Sequence, residues 1–318
     1  MFSVSDLETS VEIYTSIFRF RIRERGEGTG LGLQQLWNLP RDLKLEWVLL
    51  ERAEDVSAIK IRLVKFTPAA PRARYPYRYQ DCGYTDVHFC AYNVPDDYKV
   101  LVNAGFLGLH EPVLWRGGGG ELGVGEKAWY ETFLVGPDGE GVTLMPSAPE
   151  GPTGEFAARV PVATDSFSPI QEVVLSVSSL QEAYTFYHHI LGWNELGRWE
   201  AFGPLMEDML RIPPGTVARP IFFRYPSNPD GPGIIVIDFA GCAKIDLYAR
   251  NAPPQRGFVV QTFHTYDVTG LYRETVAAGC RIVHSPIEIS EPPYSGSKAF
   301  SVRGPDGVFV EFIEQKNS

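Results

Sequence analysis

Along this chain the apolar positions keep two periods, and the two take turns. From Gln171 to Val177 the run is apolar and β-branched enough to predict a strand. Ser179-Leu180-Gln181-Glu182 follows, a serine with a glutamate three positions on. That spacing predicts a helix start, because the two side chains can satisfy the first free backbone N–H groups. Leu180, Ala183, Tyr184, Tyr187 and Leu191 then recur at helical spacing, which makes the aromatics part of a core-facing stripe. β-like runs from Ala218 to Tyr225 and from Ile234 to Phe239 come next. After Pro253-Pro254 and Gly257 the order restarts: Phe258 to Tyr266 predicts a strand, and Asp267 to Ala278 predicts a helix closed by Gly279. Two further strands flank the turn Gly304-Pro305-Asp306-Gly307. The second half of the chain thus reads as two β-α-β-β-β units.

The first half repeats it. Leu7, Ser10, Val11, Tyr14 and Phe18 reproduce the helical stripe. Val4-Ser5-Asp6-Leu7 returns as Val177-Ser178-Ser179-Leu180, and Asn38-Leu39-Pro40 as Arg211-Ile212-Pro213, both at an offset of 173. Phe89 to Val94 returns as Phe263 to Val268, and His110-Glu111-Pro112 as His284-Ser285-Pro286, at 174. Gly136-Pro137-Asp138-Gly139 returns as Gly304 to Gly307 at 168, the shortfall falling across the Gly117 to Gly120 run. A register held this long means two homologous domains in tandem. They span 1–146 and 169–318, joined by a Pro-, Gly- and Ala-rich linker over 147–168. The counterpart of Glu172 falls before Met1, so the first domain is expected to have an incomplete opening strand.

Composition narrows the partners. A net charge of −10 argues against a nucleic-acid or anionic-membrane surface. No apolar run reaches the roughly 18 residues of a membrane span, and no secretory pattern opens the chain, which together predict a cytoplasmic protein. Cys82, Cys90, Cys242 and Cys280 form no CxxC pair and read as reduced thiols. The expected partner is a small molecule, and the expected state a monomer or homodimer.

The Val-Ser-Asp-Leu step with Tyr14 or Tyr187 on the helix, the Asn93-Val94 and Asp267-Val268 steps, and the closing turn followed by Val308-Phe309-Val310-Glu311 resemble the vicinal oxygen chelate superfamily. Glyoxalase I, bleomycin-resistance proteins and extradiol dioxygenases share that fold. The resemblance implies an α+β protein in which the paired β-α-β-β-β units of each domain form an open cup-shaped sheet. It also implies a divalent metal on the cup floor, held by His, Glu or Gln on the first and last strands of each unit. The matching positions here are Glu172, Ile235 or Val236, Val260 and Glu311 in the second domain, and Arg62, Asp86 and Thr143 in the first. Two of the first four are aliphatic and one of the last three is cationic. The expected cofactor is therefore none, with Glu172 and Glu311 as the ligands if a divalent metal does bind.

The candidate chemistry follows from that cup. If Glu172 and Glu311 share a metal-free cup, repulsion and burial should raise the pKa of at least one, suiting proton transfer next to a carbonyl. His264, two alternations beyond Val260, should face the same cup, with Thr262 between them. Glu311, Glu172 and His264 are the catalytic candidates. Asp86 and His88 alternate as a polar pair, and Arg62 could bind an anion. Trp115, Tyr130 and Tyr294 sit in or beside loops that could cap a flat ligand. His110 and His284 share one repeat position, which predicts a structural role. Three functions follow from these readings. The leading one is a metal-independent isomerase, epimerase or lyase acting on a small carbonyl-bearing or aromatic compound. The alternatives are a small-molecule binding protein of the bleomycin-resistance type, and a metal-dependent dioxygenase or glyoxalase-like enzyme with unrecognised ligands.

Overall fold

The structure is a computed structural model that describes residues 1–28, 31–53, 58–115, 129–147, 167–228 and 231–315. Four units follow one another. The first holds β1 (Phe2–Ser3), α1 (Leu7–Ser16), β2 (Phe20–Gly28), α2 (Leu31–Leu36), β3 (Lys44–Arg52) and β4 (Ile61–Thr67). The second holds β5 (Gly83–Ala91), α3 (Val94–Asn103), β6 (Leu107–Gly108), β7 (Val113–Trp115), β8 (Trp129–Val135) and β9 (Gly141–Ser147). The third opens on β10 (Phe167–Val177) and α4 (Leu180–Tyr184), which continues as a π-helical turn over Thr185–Ile190. It closes with β11 (Asn194–Arg198), α5 (Pro204–Leu210), β12 (Val217–Arg224) and β13 (Gly233–Ala240). The fourth holds β14 (Gly257–Phe258), β15 (Val260–Thr265), α6 (Val268–Ala277), β16 (Arg281–Ile289), β17 (Ser297–Arg303) and β18 (Phe309–Glu314).

The repeat is visible in backbone chemistry. Each unit's main helix starts on a side-chain cap: Asp6 accepts from Thr9 N, Asn93 from Asp96 N, Ser179 from Glu182 N and Asp267 from Gly270 N. Asn38 and Arg211, at one repeat position just past α2 and α5, both take a left-handed conformation, with φ 53° and 51°. His110 and His284 each bring Nδ1 to 2.7 Å from the next residue's carbonyl oxygen, which fits the structural role expected of them. The opening strand of the first domain is short but present: Phe2 and Ser3 pair with Leu63 and Val64 on one side and with Phe258 and Gly257 on the other.

The α+β class with open sheets holds, but the units that share a sheet are not the expected ones. The third unit joins the second: β10 pairs parallel with β13 and antiparallel with β5, in a nine-stranded sheet ordered β11-β12-β13-β10-β5-β9-β8-β6, with β7 beside β8. The first unit joins the fourth, because β1 pairs with β14. That sheet runs β14-β1-β4-β3-β2, and β14 leads through Val259 into β15 of the sheet β15-β18-β17-β16. We call the cup of units one and four the outer cup, and the cup of units two and three the inner cup. Sequential units meet instead through their closing turns and a common core. Ser5 N donates to Asp138 Oδ2 at 2.9 Å, and Ser178 N to Asp306 Oδ2 at 2.8 Å. Phe18 lies 4.4 Å from Phe89 and Tyr84 lies 4.3 Å from Phe258, ring centroid to ring centroid, inside one cluster that draws on all four units. Units of one plan offer the same strand edge twice, and the hydrophobic pattern is satisfied by either pairing.

Candidate functional site

On the floor of the outer cup three strands converge: β4 brings Arg62, β15 brings Thr262 and β18 brings Glu311, with Thr262 and Glu311 directly opposite in the ladder. Arg62 Nη2 donates to Glu311 Oε1 at 2.5 Å, Thr262 Oγ1 donates to the same oxygen at 2.7 Å, and Trp37 Nε1 donates to Oε2 at 2.7 Å. Trp37 arrives from the end of α2, where the left-handed turn at Asn38 stops the helix. The guanidinium carbon lies 5.0 Å from the Trp37 ring and 5.3 Å from the Tyr294 ring. Arg62 is 3% exposed and Glu311 fully buried. Burial alone would raise the Glu311 pKa. The Arg62 charge and the hydrogen bonds from Thr262, Trp37 and Arg62 outweigh that, and hold the carboxyl below its ordinary value. Two donors of Arg62, Nε and Nη1, are buried with no hydrogen-bond partner among the described residues.

Above this floor lies a cavity of about 1180 Å³, walled by Arg62, Thr262, His264 and Tyr294 on the cup side and by Trp193 and Ile234 further on. It opens beside β1, where β15 is the edge of its sheet. His264 stands exposed on this wall. Packing around its base and then the charge of Lys60 lower its pKa, so the ring is neutral near pH 7.

The inner cup is a closed charge network. Asp86 and His88 alternate on β5, Thr143 comes from β9, Glu172 from β10 and Arg224 from β12. Nε2 of His88 is 3.0 Å from Asp86 Oδ2, and Nδ1 is 3.7 Å from Glu172 Oε2. Arg224 Nη2 donates to Glu172 Oε1 at 3.2 Å. Asp86 also accepts from Tyr79 OH at 2.8 Å and from Thr143 Oγ1. Burial opposes a charged His88 ring, but the Asp86 carboxylate, helped by Glu172, more than offsets it and pushes the imidazole up to about 10. Asp86 moves the other way: burial would raise it, and the His88 charge with the hydrogen bonds it accepts brings it below its ordinary value. On β8 the half-buried Glu131 is pushed up to about 7, by desolvation first. Near it Trp115 and Trp129 stack at 6.2 Å.

The two carboxylates expected to share one cup are therefore apart. Glu311 belongs to the outer cup with Arg62, Thr262, His264 and Tyr294, whereas Glu172 belongs to the inner cup with Asp86 and His88. The mutual repulsion that should have raised a pKa is absent, because each acid faces a cation. Trp115 and Tyr130 stand on β7 and β8, with Leu114 opposite Tyr130 in the ladder. The glycine run expected to make their loop, Gly117 to Gly120, lies outside the described residues. Sequence reading does not single out Trp37, Tyr79, Glu131 or Arg224. Two of them carry a signal in the repeat: Trp37 stands where the second copy has Leu210, and Arg224 where the first has Glu51.

Neither donor set fits a metal. In the outer cup the Arg62 guanidinium already occupies the space in front of Glu311. In the inner cup Asp86 and Glu172 reach opposite nitrogens of one imidazole, so the three cannot converge on one ion, and Ile235 and Thr143 fill the remaining positions. Among the described residues no group of three or more His, Cys, Asp or Glu side chains is placed to hold a metal ion.

No curated protein matches the chain. Its backbone is similar to glyoxalase I from Zea mays, with a TM-score of 0.61 at 17% identity over 98% of this chain and 90% of that one. A point mutant of the same maize protein gives 0.62 at 15% identity, over 98% and 91% of the two chains. A putative dioxygenase from Bacillus subtilis gives 0.55 at 9% identity, over 100% and 84%. At such identities the likeness speaks for the fold alone. Residues 169–312 match the model of the Glyoxalase/Bleomycin resistance protein/Dioxygenase superfamily. That match covers the third and fourth units, and the first and second units repeat their order of elements.

Proposed function

We propose that the chain binds a small organic molecule in its outer cup, without a metal, and acts as a binding protein. The observation that carries this is a roomy cavity over a floor whose charges are already matched. Glu311 is ionised, triply hydrogen-bonded and paired with Arg62, so it is poorly suited to take or give a proton near pH 7. The cavity's wall mixes aromatic and aliphatic side chains such as Trp193, Ile234 and Phe263 with polar and charged ones such as Lys60, Arg62, Thr262 and Glu314, which suits a small ligand with both apolar and polar parts. The test is a fragment screen by calorimetry on protein treated with a chelator, with bound fragments located by hydrogen exchange. Chelator-insensitive binding that protects β15 and β4 supports the proposal. Binding that requires an added divalent ion, or that protects only β5 and β10, overturns it.

A second reading, a metal-independent isomerase or lyase in the same cup, rests on His264. It is the wall residue with a neutral imidazole facing the cavity, and a neutral imidazole can accept a proton. Turnover of a bound carbonyl compound that His264→Gln reduces about 10²-fold or more would favour it. Binding with no turnover in either form leaves the binding protein.

A further inference from the structure

We infer that Arg62 is the receptor for a carboxylate on the ligand, so the outer cup takes small aromatic acids. This rests on the outer cup being the working site. Buried arginines normally spend their N–H groups on the protein, because an orphaned buried donor forfeits its hydration for nothing. Arg62 does not. Its Nη2 serves Glu311, while Nε and Nη1 end without a partner among the described residues, in a side chain 3% exposed. Glu311 cannot turn to reach them, since Thr262 and Trp37 hold its two oxygens. The cation is thus fixed, always charged, and under-used at the wall of a cavity.

The fold does not require it there. The same repeat position in the inner cup is Ile235, packed without charge. Nε and Nη1 lie on different edges of the guanidinium, so a ligand oxyanion takes one of them, in a short, charge-assisted bond. Tyr294, half-buried on the turn between β16 and β17, lies over the guanidinium at 5.3 Å, so a ligand reaches Arg62 by displacing that ring. Trp193 and Phe263 supply aromatic surface on the cavity wall. A ligand with a flat apolar body and one carboxylate matches this wall, whereas its neutral amide offers the cation a carbonyl acceptor but no charge.

The test compares 2-naphthoate with 2-naphthamide by calorimetry on the full chain, with hydrogen exchange to locate them. The expected result is that the acid binds about 10-fold or more tighter than the amide, a gap typical of a charge-assisted pair. It should protect β4 and β15. Arg62→Met/Glu311→Gln removes both charges together and should abolish that preference. Arg62→Lys, which keeps the charge without the planar fork, should retain only part of it and guards against a double variant that fails to fold. Equal binding of acid and amide to the wild type would overturn this inference while the outer cup stays a small-molecule site. An acid preference that survives both variants would do the same. Failure of both probes to protect the outer cup would remove this inference together with the binding-protein reading.

Discussion

The outer and inner cups are built on one frame and solve one problem in two ways. Each buries a carboxylate and gives it a threonine hydroxyl and a cation. In the outer cup the acid is on the last strand, Glu311, and the threonine on the first, Thr262. In the inner cup they trade places, with Asp86 on the first strand and Thr143 on the last. The cations differ more. His88 turns one nitrogen to Asp86 and the other towards Glu172, so each side faces a carboxylate, at 3.0 and 3.7 Å. Arg62 gives one nitrogen to Glu311 and leaves two buried without a partner among the described residues, in a side chain that lines a cavity. A cup can thus be closed by its own side chains or left with binding capacity, depending on how many donors its cation brings. That difference separates a structural network from a candidate site.

The largest test of the comparison removes one member of the outer pair. Arg62→Met leaves Glu311 buried with the neutral donors Thr262 and Trp37 but no counter-charge. Breaking a buried pair from one side typically costs about 3–5 kcal/mol, whereas replacing both charges can be nearly neutral. Urea unfolding should therefore show a loss of that order for Arg62→Met, and recovery of most of it in Arg62→Met/Glu311→Gln. A single variant as stable as the wild type would mean that the pair is exchanging with water and that the outer floor is not dry.

The matching break in the inner cup should be smaller. His88→Gln leaves Asp86 its bonds from Tyr79 and Thr143, and leaves Glu172 its bond from Arg224. A loss of about 1–3 kcal/mol is expected, the range for a buried polar group deprived of one charged partner. Its signature is in the pH dependence. The folded imidazole sits at about 10 against an unfolded value of 6.5. Its stabilisation is therefore complete below pH 6.5 and is lost as pH rises through about 10. Glu131, at about 7, and Glu140, at about 8, are raised in the same direction, but their windows close near pH 8. Between pH 8 and 10 the wild type should lose stability more steeply than His88→Gln. Parallel curves over that range would show that His88 is not held as a cation.

The reach of the sequence explains why this contrast surfaced only in three dimensions. The alternation of periods and the offsets of 173, 174 and 168 were enough for the units, the main helix of each and the closing turns, but not for the short helices α2 and α5. Those features are local, and each is set by a cap, a stripe or a left-handed residue. Which unit shares a sheet with which is not local. Placing Glu172 and Glu311 together followed from assuming that neighbours in sequence are neighbours in the sheet. The outer floor draws Trp37 and Arg62 from one end of the chain and Thr262 and Glu311 from the other, so no window of sequence holds it. What could be read was the mismatch between copies. Arg62 faces Ile235, Trp37 faces Leu210, and Glu311 faces Thr143 across the repeat, and all three mismatches meet in one cup.

The smallest effect sharpens the comparison between the halves rather than the cups. The two closing turns do the same job, each accepting a backbone N–H of the loop ahead of a helix, Asp138 from Ser5 and Asp306 from Ser178. Asp138 is buried and its other oxygen takes a bond from Arg256 Nη1 at 3.0 Å, which ties the second unit to the fourth. Asp306 is half-buried and sits in a left-handed conformation at φ 51°. Asparagine tolerates that backbone and keeps an oxygen for the N–H, so Asp→Asn removes little but the charge. Asp306→Asn should then change stability by less than about 0.5 kcal/mol, while Asp138→Asn should cost about 1–2 kcal/mol, the worth of a hydrogen bond with a charged partner. Arg256→Met should cost about as much as Asp138→Asn, and combining the two should add little, since both remove one interaction. Equal effects at Asp138 and Asp306 would mean that the Arg256 contact contributes nothing. The tie between the second and fourth units would then rest on packing such as Tyr84 against Phe258 alone.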